Sequence, residues 1–130
     1  MMYALVVINS HFDSKTGVMV HTGTGTVPVS DVLIAIQTWF KHPQFDPQAP
    51  VIWNIGEAFL DMSIEDLRQM YSLVRDAVDS KRTGGKTAWV HPSQMVSAMI
   101  TIVRDEFDWG SEWETFQNVD EALAWCQNTA

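Results

Sequence analysis

The segment Val51-Ile-Trp-Asn-Ile55 constrains the chain more than any other. It is short and almost wholly apolar. Three prolines between His42 and Pro50 precede it, and Gly56 follows it. A strand with one wet face alternates apolar and polar residues. A strand without that alternation is covered on both faces, which is the habit of parallel sheets with helical crossovers.

The flanking pattern agrees. Tyr3 to Asn9 is a β-branched apolar run, and Gly17 to Thr22 is a second one; both read as strands. The turn residues from Ser10 to Lys15 separate them and predict an antiparallel hairpin. Thr22-Gly-Thr-Gly-Thr26 reads as a loop. Ser30 or Asp31 is placed to cap a helix carrying Val32, Leu33, Ile36, Trp39 and Phe40 on one face. Pro43 stops it.

After the 51–55 strand, a helix is predicted from about Ser63 to Ser80, with Ile64, Leu67, Met70, Tyr71, Val74 and Val78 as its stripe. Lys86 to His91 is the next strand. Pro92 opens a helix whose inner face is Met95, Val96, Met99, Ile100, Val103 and Phe107. Trp113 to Phe116 is a short strand. Asn118 and Glu121 resemble a capping box before Val119, Ala122, Leu123 and Cys126. The order β-β-α-β-α-β-α-β-α predicts an α/β fold: a mainly parallel mixed sheet of about five strands, an N-terminal antiparallel hairpin and four helices. No repeat or linker divides the chain, so residues 1–130 are expected to form one domain.

Composition narrows the function. The net charge is −8, from 16 acidic and 8 basic residues. A nucleic-acid binder needs a basic patch to displace counterions, so nucleic acid is an unexpected partner. The basic residues are scattered except for Lys81, Arg82 and Lys86, which read as a solvated loop. Cys126 is alone, so no internal disulfide forms. The apolar start is too short for a membrane span and lacks the basic opening of a signal peptide. The expected location is the cytoplasm.

Three segments resemble one family. They are Pro50-Val-Ile-Trp-Asn-Ile-Gly-Glu-Ala-Phe-Leu-Asp-Met-Ser63, Gly85-Lys-Thr-Ala-Trp-Val-His91, and Trp113-Glu-Thr-Phe-Gln-Asn-Val-Asp-Glu-Ala-Leu-Ala-Trp125. In order and spacing they resemble the STAS and SpoIIAA-like family, the anti-sigma-factor antagonists and their relatives. The resemblance implies a SpoIIAA-like fold and a non-enzymatic regulatory or protein-interaction role. It places the antagonists' phosphorylatable serine near Ser63, preceded by Asp61. Met62 stands where the family has another serine, and Ile64 where it has glycine. Some relatives are grouped with SEC14-type domains, which implies an alternative: binding of an apolar, lipid-like small molecule.

Each candidate site residue also has a plainer structural role. Ser63 can be a phosphorylation and partner switch, because phosphate suits a helix N-terminus; the commoner role there is an N-cap. Glu57, His91 and Ser93 would lie at the carboxyl edge of the sheet, where open α/β folds bind ligands. His91, Ser93 and Asp61 would supply a hydrolase triad only if geometry assembled them, and no G-x-S-x-G elbow is present. Trp109 and Trp113 flank Gly110 in an acidic stretch and suit an apolar pocket or an interface as well as a core. The four histidines lack ligand spacing, so no metal or other cofactor is expected. The expected partner is another protein or an apolar small molecule. A homodimer, formed through an edge strand or an exposed helix, is consistent with this pattern.

Overall fold

The computed structural model describes residues 8–70, 72, 85–106 and 112–128. The strands are β1 (Ile8–Asp13), β2 (Val18–Pro28), β3 (Val51–Asp61), β4 (Lys86–Val90) and β5 (Glu112–Phe116). The helices are α1 (Val29–Phe40), α2 (described over 64–70), α3 (Gln94–Glu106) and α4 (Val119–Gln127). The strands lie side by side in chain order, with β1 antiparallel to β2 and every other pair parallel. This is the α/β architecture expected from the sequence.

Sequential strand order has a geometric consequence. Each parallel crossover steps in the same direction, and right-handed crossovers then put their helices on one face. Accordingly, residues of α1, α2 and α3 share a core with Met19, Val51, Trp53, Ile55 and Trp89. Among the described helices, α4 alone packs on the other face. There Ala122 and Cys126 meet Val18, Ile52, Ala88 and Val90. The 51–55 run is therefore buried from both sides, with Ile52 and Trp53 pointing to opposite layers.

Several boundaries differ from the sequence reading. The opening hairpin turns later: β1 runs through Ser10 to Asp13. Asp13 holds the turn by accepting from the Lys15 and Gly17 N–H groups, and Gly17 supplies a φ of 73°. Residues Tyr3 to Val7 lie outside the described residues. The predicted Thr22–Thr26 loop is strand, because β-branched threonines suit a pleated surface and β3 offers a partner. The glycines there permit an irregularity: the register shifts between Thr22 and Thr24, and Gly25 has a φ of 68°. α1 is capped at Pro28 without a side-chain bond, so neither Ser30 nor Asp31 is its cap. Met95 is 82% exposed rather than inward; the inner face of α3 is Val96, Met99, Ile100 and Val103. Phe107, Tyr71, Val74 and Val78 lie outside the described residues.

Lys86 is not a loop cation. From β4 its Nζ donates to the carbonyls of Trp125 (2.9 Å) and Asn128 (2.7 Å) and lies over the Trp125 ring. The Trp125 carbonyl also accepts from the Asn128 N–H at 3.2 Å, so Lys86 adds a second donor there and ties the end of α4 to β4.

Candidate functional site

The sheet has a stepped carboxyl edge. β4 pairs with β3 only from Val51 to Asn54, whereas β2 accompanies β3 to Asp61. Seven residues of β3 therefore continue past the last β4 pair as a two-stranded ribbon, roughly 20 Å long at about 3.3 Å per residue. α3 starts beside the step and α2 starts at the ribbon's tip.

Ser63 and Asp61 sit at that tip, and both are exposed. The Ser63 hydroxyl accepts from the Asp66 N–H at 3.1 Å, and the Asp66 carboxylate accepts from the Ser63 N–H at 2.9 Å. This is a reciprocal capping box with aspartate in place of glutamate. Around Ser63 the charge is negative, from Asp61, Glu65 and Asp66. Farther along α2, Arg68 turns away to grip Glu106 of α3 through two 2.7 Å contacts. That grip holds the Glu106 carboxyl below its ordinary range.

His91 and Ser93 are brought to the same step and are occupied by backbone. His91 Nε2 lies 3.2 Å from the Ala58 carbonyl oxygen, on the edge of β3 that β4 no longer covers. Its Nδ1 accepts from the Ser93 N–H at 3.0 Å. The neutral tautomer protonated at Nε2 satisfies both contacts. The Ser93 hydroxyl in turn accepts from the Val96 N–H at 3.4 Å, capping α3. Both ring nitrogens of His91 and the hydroxyl oxygen of Ser93 are thus engaged by backbone groups.

Glu57 is not in a loop after the strand. It lies within β3, exposed, opposite Thr24. Ala58 beside it is buried toward the three-helix face, so Glu57 points to the opposite face. Phe59 shares that orientation and is 68% exposed. Among the described residues no cluster of metal-ligating side chains occurs. No helix among them is long and apolar enough to cross a membrane.

Trp113 lies in β5, half-buried, with its ring 5.3 Å from that of Trp89. Trp109 lies outside the described residues. Trp113 ends a row that sequence reading missed. His21, Trp53 and Trp89 are direct neighbours across β2, β3 and β4. The His21 and Trp53 rings stack at 4.2 Å, and Trp53 and Trp89 stack at 5.1 Å with planes 9° apart. Ser10 of β1 holds His21 through its hydroxyl, 2.7 Å from Nδ1. The tryptophans thus pack against one another across the sheet. The signal was available in principle: His21, Trp53 and Trp89 sit fifth, third and fourth in their predicted strands, but register between strands is set by turns and bulges.

A cleft of about 570 Å³ opens between α3 and the end of β5. Ser97, Thr101 and Ile102 line it on one side, and Thr115, Phe116 and Glu121 on the other.

The comparison with solved structures decides the architecture. A crystal structure of an uncharacterized DUF3478-family protein with a SpoIIAA-like fold, from Shewanella loihica PV-4, superposes with a TM-score of 0.62. The match covers 92% of this chain and 91% of that one.

The chain has a SpoIIAA-like fold.

Sequence identity to that protein is 12%, so the likeness is one of fold. No protein-family model matches the sequence, and no curated protein matches it.

Proposed function

We propose that the chain is a non-enzymatic regulatory or protein-interaction domain whose partner docks at the ribbon tip around Ser63. The observation that carries this reading is the exposed Ser63–Asp66 capping box at the start of α2. A phosphate on Ser63 would gain the free N–H groups and dipole of the helix start. It would also face the Asp66 carboxylate that now binds the Ser63 N–H. Repulsion between them would rearrange the first turn and replace a nearly neutral hydroxyl by a dianion. A partner reading this tip would distinguish the two states. The engagement of His91 and Ser93 with backbone supports a non-catalytic role.

The test is peptide mapping of the protein purified from its own cells, followed by partner binding with Ser63→Ala and Ser63→Asp. Phosphate at Ser63, with binding kept by the alanine variant and lost by the aspartate one, is the expected result. An unmodified Ser63 with equal binding by both variants would overturn the reading.

A second reading, an apolar small-molecule binder, draws on the α3–β5 cleft, whose volume falls in the range of small-molecule sites. Ala98→Trp would place a large ring in it and narrow it. Loss of a retained lipid-like molecule from the purified protein on that substitution would favour this reading.

A further inference from the structure

Among the described residues β5 is the last strand of the sheet, and no further described strand pairs with its outer edge. In a parallel ladder the N–H and C=O of one residue point to the same side, and alternate residues point to opposite sides. The Glu112 N–H donates to the Gly85 carbonyl at 2.9 Å, and the Phe116 carbonyl accepts from the His91 N–H. Glu112, Glu114 and Phe116 therefore face β4, while Trp113 and Thr115 face outward.

Both outward residues are met by a charged side chain. Arg104, on the last turn of α3, donates from Nη1 to the Trp113 carbonyl at 3.3 Å. The Thr115 N–H donates to the Glu114 carboxylate at 3.1 Å. The same carboxylate oxygen lies 3.6 Å from Arg104 Nη1. Arg104 is anchored from behind, its Nε donating to Asp105 at 2.9 Å. One ion pair thus spans two successive outward positions, taking the carbonyl of one and the N–H of the next. An added strand would need these same two groups.

We propose that the Arg104–Glu114 pair is a clasp that closes the β5 edge against a second copy of this chain. A second copy is the occupant at issue because an isologous β5–β5 pairing needs only the same edge twice. Glu112 and Glu114 of the two copies would then lie close together, so the clasp excludes by charge as well as by occupying the groups. The clasp is independent of the Ser63 reading, since it lies on the other side of the sheet's step.

The test is the double variant Arg104→Gln, Glu114→Thr, which removes the two side chains that meet these groups and keeps a good strand former in β5. Analytical ultracentrifugation compares it with the wild type at equal concentration, and circular dichroism checks the fold. The expected result is at least a twofold rise in weight-average mass over the wild type. A folded double variant with wild-type mass would overturn the proposal. Should the double variant lose its fold, Glu114→Ala is read by amide exchange at Thr115. Exchange at least tenfold faster supports the clasp, and unchanged exchange removes it.

Discussion

His91 Nε2 lies 3.2 Å from the Ala58 carbonyl oxygen, and this one contact continues β4's hydrogen bonding to β3 after β4 itself has ended. A half-buried carbonyl with no partner would otherwise open at the step.

His91→Ala should therefore destabilise the protein. It removes the group facing the Ala58 carbonyl and the acceptor of the Ser93 N–H together, and an uncompensated buried polar group costs about 1–3 kcal/mol. Urea unfolding measures the loss. A change within about 0.5 kcal/mol, the size of an ordinary surface substitution, would remove the structural role assigned to His91.

Ser63→Ala should cost about 1 kcal/mol, the usual value for a lost N-cap. Asp66→Ala breaks the reciprocal bond from the other side. Because the two side chains form one box, the double variant should lose less than the sum of the single losses. A double-mutant cycle by thermal unfolding reads the coupling, and strict additivity would show the box to be open in solution.

Two glycines should respond differently to alanine. Gly25 has a φ of 68° with open space where a Cβ would go, so Gly25→Ala carries backbone strain alone, about 1–2 kcal/mol. At Gly56 a Cβ would meet Asn54 at 3.6 Å and Pro92 at 3.9 Å, ordinary contact distances. Gly56→Ala should be close to neutral. Equal melting temperatures for the two variants would contradict the backbone conformation at Gly25.

Acid should weaken the α2–α3 link. The Glu106 carboxyl is lowered from its ordinary value of 4.5 by the Arg68 guanidinium. A depressed folded-state value gives stabilisation that is present above 4.5 and lost as pH falls through the lower folded value. Arg68→Gln should flatten that acid limb of the stability–pH curve by slightly lowering stability near neutrality, since both groups are part-exposed, while leaving stability in acid unchanged. An unchanged acid limb in the variant would show that the pair does not persist in solution.

What the sequence made readable follows from which interactions are local. The helices α1, α3 and α4 declare themselves by period, and the Asn118–Glu121 cap by residue type at fixed spacing. The parallel sheet follows from alternation of element types. The stepped edge was hidden because it depends on how far β2 and β3 accompany each other. Thr22 to Thr26 and Gly56 to Asp61 look like loops until each is seen as the other's partner. Ser63 was readable as a cap because its bond spans three residues. The engagement of His91 with Ala58 was not, because 33 residues separate them. Met95 fits the helical period of α3, yet nothing packs over the first turn to bury it.

The order of the strands has a bearing on how this chain acquires its shape. Every strand is paired with the one made just before it. Among the described strands no pairing skips over another strand, so the entropy of closing each loop stays modest. A chain emerging from the ribosome from its amino end would find a native neighbour for each strand as soon as that strand is exposed. α4, made after all five of these strands, then seals the second face of the β3–β4 pair, so truncation before Val119 should leave Ile52, Ala88 and Val90 open on that side.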